Sequence, residues 1–404
     1  MSFCKHNFSD VCIFSIMIAS ILPSSIQKYV RENAYFISMC CFFALFGFLM
    51  ATWIGRIPAI HNFAQLTTST FAIALLGKGI GSVIVFPFAA TMIENLGAKK
   101  ATRIFGTFMI LSVPVLGLMP NFWLVTIVLF FQGALTSCFD ISINSLGGYF
   151  EKLSGKSRMA VMHAWFAVGS VGGSLVSGLA ENIGLSPFIH FSIIAVCLIL
   201  VLWFFIRFVD DPETSVHVGR KVFVFPHGGL LLLGLIGFFA SVTESSISNW
   251  SVLYFSDYLK TDQSIAPFGY ALYATFMFVG RLIGDILKNR FGASKVLMTG
   301  NSIASIGLLF VFFSSNFYIA LMGFAITGFG VSTVFPFLFS AASKQGSVSL
   351  ASVATLGYIG GIAAPPLIGA IVTWSSLSVA MLFLSVVTLT MATLASQSKM
   401  LKEN

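Results

Sequence analysis

Long runs of apolar residues recur along the whole chain, and short polar or turn-forming segments separate each run from the next. A continuous run of about 20 apolar residues is long enough to cross the hydrocarbon core of a bilayer as an α-helix. Lipid offers the backbone no hydrogen-bond partners, so continuous runs of this length are predicted to be helices. The pattern predicts twelve spans, at about residues 34–55, 68–93, 101–119, 122–149, 160–181, 187–208, 228–255, 267–287, 295–314, 317–342, 349–373 and 376–396.

The positive charges lie mainly in every second connecting segment. If the segment around residue 28 is cytoplasmic, 17 of the 22 Lys and Arg residues lie on the cytoplasmic side. The outside loops then hold only Arg56 and Lys260, and the remaining three are terminal or lie within spans. Cytoplasmic loops of membrane proteins carry an excess of Lys and Arg. We therefore predict that both termini are cytoplasmic, and we attribute the net charge of +8 to a basic inner face beside anionic lipid.

The composition supports a membrane protein and narrows the function. Apolar residues make up 57% of the chain and charged residues only 9%, whereas a soluble domain carries roughly 25% charged residues. The chain therefore lacks the polar surface of a soluble enzyme or a nucleic-acid-binding protein. The sequence contains no motif for nucleotide binding, metal binding or nucleophilic catalysis. We expect no enzymatic activity, no cofactor, no metal site and no nucleic-acid partner.

The two halves of the chain resemble each other. The segment ENLGAKK at 94–100 matches NRFGASK at 289–295, and Trp53 and Trp250 hold equivalent places in the first and seventh spans. Gly133 in the fourth span pairs with Gly328 in the tenth. Matches in the same order across six spans predict two homologous six-helix bundles. Parallel repeats of this kind build transporters whose solute site lies between the repeats, near the middle of the membrane.

The repeat divides the chain into four predicted parts. They are an N-terminal extension at 1–33, a first six-helix bundle at 34–208, a cytoplasmic linker at 209–226, and a second six-helix bundle with a short tail at 227–404.

Several motifs of the chain resemble those of a known transporter family. They are ATWIGRIPAI (51–60), LLGKGIGS (75–82), FDISINSLGGYFE (139–151), MHAWFAVGSVGGSL (162–175), ESSISNWSVLY (244–254), GRLIGD (280–285), FPFLFSAAS (335–343) and GYIGGIAAPPLIG (357–369). Over almost everything after residue 34, the chain resembles the major facilitator superfamily. It looks closest to the YbjJ-like branch, which is related to the fucose:proton symporters. The resemblance implies an all-α protein with twelve transmembrane helices in two pseudo-symmetric bundles, placed in a bacterial cytoplasmic membrane.

Asp140 is a candidate for proton coupling, and Asn144 and His163 are candidates for the solute cavity. Asp140 and Asn144 stand four residues apart and so share one face of the fourth span. A carboxyl group inside a span is costly and usually has a partner or a water-filled cavity, and burial favours its protonated form. His163 begins the fifth span at a similar depth, where it either relays protons, contacts solute or tethers two helices. In the fucose-type symporters a carboxylate of the fourth helix has the proton role, and Asp140 falls in the matching segment.

Two spans supply further candidates for the solute cavity. Lys78 lies in the middle of the second span, where it either forms an ion pair with Asp140 or Glu244 or presents its charge to an anionic solute. In the seventh span, Glu244 is a second proton-site candidate, and Asn249 offers an amide to solute hydroxyl groups.

Three aromatic residues complete the predicted cavity. Trp250 and its counterpart Trp53 either line the cavity or anchor the chain at the membrane interface. Tyr358 precedes Pro365 and Pro366 in a span that is predicted to bend.

A third group is predicted to control opening of the cytoplasmic side. Glu94, Gly97 and Lys99 retain the loop motif of the superfamily, and the equivalent loop of the second half begins with Asn289. Arg281 and Asp285 stand four residues apart in the eighth span, where we expect them to pair with each other or with the inner gate.

These features predict a secondary active transporter that moves a small polar solute, either sugar-like or an organic anion, by alternating access with protons. Its partners are then the solute, protons and membrane lipid. A facilitator-type efflux pump and a non-transporting receptor on the same fold are the alternatives.

Overall fold

The computed structural model describes residues 34–154, 158–210, 225–345 and 347–402. Over these residues the regular secondary structure is helical throughout. The predicted extension at 1–33 and residues 211–224 of the predicted linker lie outside the described residues. The domain boundaries at those two places therefore stay predictions.

The helices follow the predicted spans closely. In chain order they are α1 Ala34–Ile54, α2 Ile57–Phe63, α3 Thr68–Leu96, α4 Ala98–Leu116, α5 Phe122–Ser154, α6 Met159–Asn182, α7 Pro187–Phe205, α8 Gly229–Leu253, α9 Phe268–Phe291, α10 Ala293–Phe313, α11 Phe317–Val331, α12 Val334–Ser343, α13 Ser347–Trp374, α14 Leu377–Gln397 and α15 Lys399–Lys402. A short π-helical turn extends α8 to Tyr258.

Ten segments of the described chain are long and apolar enough to cross a membrane, and α11 and α12 together form one of them. The other two predicted spans form α4, with 19 residues, and α6, with 24 residues. Twelve long helical segments therefore stand where the apolar runs predict them.

The helices pair in the same pattern in both halves. In the first half, α1 packs mainly against α6, α3 against α5, and α4 against both α5 and α7. In the second half, α8 packs against α13, α9 against α11, and α10 against both α11 and α14. Each pairing in one half has its counterpart six spans later, so the two pseudo-symmetric six-helix bundles are confirmed.

One glycine in each half shows that the repeat extends to the backbone. Gly97 links α3 to α4 with φ 81°, and Gly292 links α9 to α10 with the same φ. Residues with a side chain rarely adopt a positive φ. The matching motifs around these glycines therefore encode the same sharp link between two helices.

A second glycine pair permits close helix packing. A Cβ atom on Gly133 of α5 would collide with the backbone carbonyl of Lys78 in α3, and a Cβ on Gly328 of α11 would collide with that of Tyr273 in α9. Small residues let membrane helices approach each other closely. The predicted Gly133–Gly328 equivalence thus has a packing reason.

The two bundles touch along α3 with α13 and along α6 with α9. Toward the predicted outer side, the hydroxyl oxygens of Ser69 and Thr373 lie 2.8 Å apart, and Gly369 packs against Ala72. These contacts join the outer ends of α3 and α13. Tyr358, farther toward the predicted cytoplasmic side of α13, is 46% exposed. The contacts of Ser69 and Gly369 between the bundles therefore lie toward the side that the charge pattern predicts to be outside.

The packing at Gly133 generates a stability prediction. Gly133→Ala places a methyl group against a helix backbone that cannot easily move, so we expect a loss of about 1–3 kcal/mol in stability. Thermal unfolding of the purified protein in detergent measures the change.

Gly148→Ala is the matched control, because it lies on the same helix and a Cβ there meets nothing within 4 Å. Alanine favours helix more than glycine, so this variant is expected to match or exceed the parent. Equal unfolding temperatures for the two variants would contradict the packing role.

Candidate functional site

A cavity of about 320 Å³ lies between the two bundles. Its walls come from α3 and α5 of the first bundle and from α8 and α13 of the second. The lining residues are Leu75, Lys78, Gly79, Ser82, Val83, Ser137, Ser241, Ser245, Asn249, Gly357, Tyr358, Gly361, Ile362 and Pro365. A site at the repeat interface is what the internal duplication predicts.

Serine and asparagine side chains place polar groups in a cavity wall that is otherwise largely apolar. Ser82 Oγ donates to the Gly133 carbonyl at 3.0 Å, and Asn249 Nδ2 donates to the Ser245 carbonyl at 2.7 Å. Ser137 and Ser241 make no hydrogen bond with any other described residue. The cavity therefore presents hydroxyl groups that remain available to a bound molecule.

Lys78 lies in the cavity wall with its Nζ atom 4.3 Å from the ring centroid of Trp53. Cations are attracted to the face of an indole ring. Neither Asp140 nor Glu244 lies within ion-pair distance of Lys78, so the ion pair allowed by the sequence is not formed. The charge remains free to meet a solute.

Trp53 and Trp250 are each only 1% exposed. This burial contradicts the alternative that they anchor the chain at the membrane interface. Phe71 of α3 packs edge-on against Trp250 of α8, with ring centroids 5.5 Å apart. The two tryptophans thus lie inside the protein, and neither is among the residues that line the cavity.

The structure brings Asp140, the proton-coupling candidate of the first bundle, together with Asn144 and His163, two predicted cavity residues that are not in the cavity lining. Asn144 Nδ2 donates to both the backbone carbonyl and Oδ1 of Asp140, each at 2.8 Å. Asn144 Oδ1 lies 3.2 Å from His163 Nε2. The His163 ring also packs on Phe43 with centroids 4.6 Å apart. Asn144 therefore connects the carboxylate of α5 to the imidazole of α6.

Arg281 pairs with a different acid from the one four residues away. Its Nη2 lies 3.8 Å from Oε1 of Glu244, and its Nε donates to the Ser332 carbonyl at 3.3 Å. Asp285 is exposed. The expected pair with Asp285 is thus replaced by an ion pair from α9 to α8. The reason is that Arg281 is only partly exposed and turns toward Glu244, whose side chain is also only partly exposed, while Asp285 faces outward.

The predicted loop gate is only partly visible. Gly97 forms the sharp link between α3 and α4, and Lys99 lies in the first turn of α4. The side chain of Glu94 lies outside the part of the chain whose side chains are described. A gating role for this loop stays a prediction.

Sequence reasoning identified Asn249 but missed Ser241 and Ser245, which line the cavity from the same helix, α8. Ser241, Ser245 and Asn249 recur every four residues and so face the same way. That spacing was the available signal.

The sequence also did not predict the partners of Arg56. Its side chain is 3% exposed, pairs with Glu181 at 2.7 Å and donates to the Leu185 carbonyl. Arg56 therefore fastens α1 to the end of α6 and is occupied.

Comparisons with known proteins agree with this architecture. Residues 34–344 match the Major Facilitator Superfamily. An MFS-type transporter of Yersinia pestis is 32% identical over 378 residues, which cover 92% of this chain and 96% of that protein. Solved structures of a D-xylose-proton symporter and of the nucleoside transporter NupG superpose with TM-scores of 0.73 and 0.71. Each covers 91% of this chain, and the match spans 98% of the symporter and 100% of NupG. Their identities of 11% and 12% make this a likeness of fold alone.

The partner of Arg281 can be tested with a double-mutant cycle. The costs of Arg281→Met and Glu244→Gln are expected to be non-additive, because each change removes the same contact. With side chains 23% and 29% exposed, we expect a coupling free energy of about 1 kcal/mol. Thermal unfolding of the four proteins measures it.

The matched control is a second double-mutant cycle that pairs Arg281 with Asp285, the exposed acid on the same helix. Arg281→Met and Asp285→Asn are expected to add. If Asp285 couples to Arg281 as strongly as Glu244 does, the observed pairing is wrong.

Proposed function

The chain belongs to the Major Facilitator Superfamily, and we propose that it is a secondary active transporter that carries a small polar solute together with protons by alternating access. The observation that carries the proposal is a cavity with polar groups from both pseudo-symmetric bundles in its wall, between bundles whose outer ends are in contact. Such a cavity can open to the other side if the bundles rock about it.

The size and chemistry of the cavity favour a small polar solute. A volume of about 320 Å³ lies at the lower end of the range for ligand pockets. The D-xylose-proton symporter and the nucleoside transporter, by their names, act on solutes of this kind, which supports the proposal. The narrower kinship with the YbjJ-like branch, the cytoplasmic membrane of a bacterium as location, and cytoplasmic termini belong to the same proposal.

Asp140 is the preferred site of proton coupling. Its recorded partner is the neutral amide of Asn144, whereas Glu244 already faces the cation of Arg281. A carboxylate without a cation inside a membrane protein has the most to gain from taking up a proton. Protonation would weaken its charge-assisted bond with Asn144, and Asn144 passes the change to His163 in the next helix.

Replacing Asp140 with asparagine tests the coupling. Asp140→Asn keeps the shape but cannot release a proton, so we expect proton-driven accumulation to fall at least tenfold while solute exchange without a gradient continues. Uptake into proteoliposomes with and without an imposed pH gradient measures both. The solute for this assay is identified beforehand by a thermal-shift screen of sugars, organic acids, amino acids and nucleosides, because a bound ligand stabilises the folded state.

The control is Asp262→Asn, because Asp262 is an exposed acid in the segment between α8 and α9 and lies outside the proposed network. It is expected to accumulate solute as the parent does. Unchanged accumulation by Asp140→Asn would refute the coupling role and leave transport standing. A ligand that binds without any flux would instead favour a receptor.

Alternating access predicts that the outer contact must open in each cycle. Cysteines at Ser69 and Thr373, in a chain without its native cysteines, are expected to form a disulfide because the two hydroxyl oxygens lie 2.8 Å apart. Peptide mass spectrometry detects the bond. Oxidation is expected to stop uptake, and a reductant is expected to restore it.

Each single-cysteine variant, oxidised in the same way, is the control and is expected to keep its activity. Full transport by the cross-linked protein would show that the outer ends of α3 and α13 need not separate.

A further inference from the structure

We infer that the cavity binds a small hydroxylated monoanion, a hydroxy acid or sugar acid, whose carboxylate is held by Lys78. This inference rests on the proposed function, in that the cavity must be the solute site. It goes further by naming the chemical class of the solute.

The charge balance of the cavity carries the first step. Lys78 is the cation among the lining residues, and no acidic residue lines the cavity. The two ion pairs recorded among the described residues join Arg56 to Glu181 and Arg281 to Glu244, and neither involves Lys78. A cation inside a membrane protein is costly without a counter-charge. A solute carboxylate would supply that charge, and one cation matches one negative charge.

The contact with Trp53 shows how the charge of Lys78 can be stabilised while no solute is bound. The ammonium group rests 4.3 Å from the indole centroid, where the face of the ring attracts it weakly. A charge-assisted hydrogen bond to a carboxylate is stronger than a bond between neutral groups. An arriving anion can therefore compete with the indole for the ammonium group more strongly than a neutral solute, because it also brings the opposite charge.

The hydroxyl groups of the wall carry the second step. Ser137 of α5 and Ser241 of α8 line the cavity and make no hydrogen bond to other described residues. Asn249 uses its Nδ2 within α8, which leaves its amide oxygen as an acceptor. Because α5 and α8 belong to different bundles, a hydroxylated solute can bond to both at once. A plain carboxylate would leave these groups unsatisfied.

The same charge balance fits the proposed proton site. A monoanion that binds at Lys78 and a proton that binds at Asp140 add no net charge to the carrier. Cotransport of the two would then be electroneutral and would draw on the pH gradient alone.

Matched acids and neutral analogues test the inference on the full-length protein in detergent at pH 7. The probes are D-gluconate with D-glucitol, D-glucuronate with D-glucuronamide, and L-lactate with L-lactamide, with acetate as an acid that lacks hydroxyl groups. Thermal shift and calorimetry measure binding. We expect at least one hydroxylated acid to bind at least tenfold more tightly than its neutral analogue and than acetate.

Variants of the cation provide the second readout. Lys78→Met is expected to abolish the preference for acid over neutral analogue, and Lys78→Arg is expected to retain it because the charge remains. Lys100→Met, an exposed lysine of α4, is the control and is expected to behave as the parent. The comparison of analogues on the parent protein keeps the test valid if Lys78→Met does not fold.

The outcomes separate this inference from the proposed function. The inference is overturned if no acid binds, if neutral analogues or acetate bind as tightly as the hydroxylated acids, or if Lys78→Met keeps the acid preference. Proton-driven uptake of a neutral solute would overturn the inference and support the proposed function. Binding of a hydroxylated acid through Lys78 with no flux would support the inference and overturn the transport proposal.

Discussion

The absence of water from the membrane interior is the constraint on which the arrangement of this chain depends, since a polar group there must find its partner within the protein. Many hydroxyl groups in the spans satisfy it locally. Thr52 donates to the Phe48 carbonyl and Ser246 to the Val242 carbonyl, one turn back along their own helices. Arg56 satisfies it with Glu181. Lys78 contacts only the face of the Trp53 ring, so its charge still lacks an acidic partner among the described residues.

Packing divides the molecule into parts that can move against each other. Inside each bundle, Gly133 and Gly328 bring helix backbones into direct contact, and repeated pairings join the six helices. Between the bundles, close contacts such as Ser69 with Thr373 gather toward one side. Interiors that are tightly packed tend to switch between discrete arrangements and deform little. Two stiff bundles around a polar gap are therefore suited to a rocking motion.

The fold could be predicted from the sequence, because span length and the internal repeat are local signals that lipid makes decisive. The contact of Asp140 with Asn144 followed from their spacing on one helix. The contact with His163 was foreseen only as one of several possibilities. The partner of Arg281 depends on how α8 and α9 are rotated about their axes, which spacing alone does not determine. The burial of Trp53 and Trp250 depends on which side of the carrier is closed, a property of conformation that composition does not encode.

Lys78 and Tyr273 occupy equivalent positions in the two bundles. The backbone carbonyl of Lys78 packs against Gly133, and that of Tyr273 packs against Gly328. Duplication therefore produced two similar backbones that differ in charge at this position. The ammonium group lines the cavity, while the phenol of Tyr273 is buried away from it. A molecule with one acidic end would meet unlike walls and would settle in a single orientation. Its mirror image would then present its hydroxyl groups to the wrong helices, so the carrier should discriminate between enantiomers.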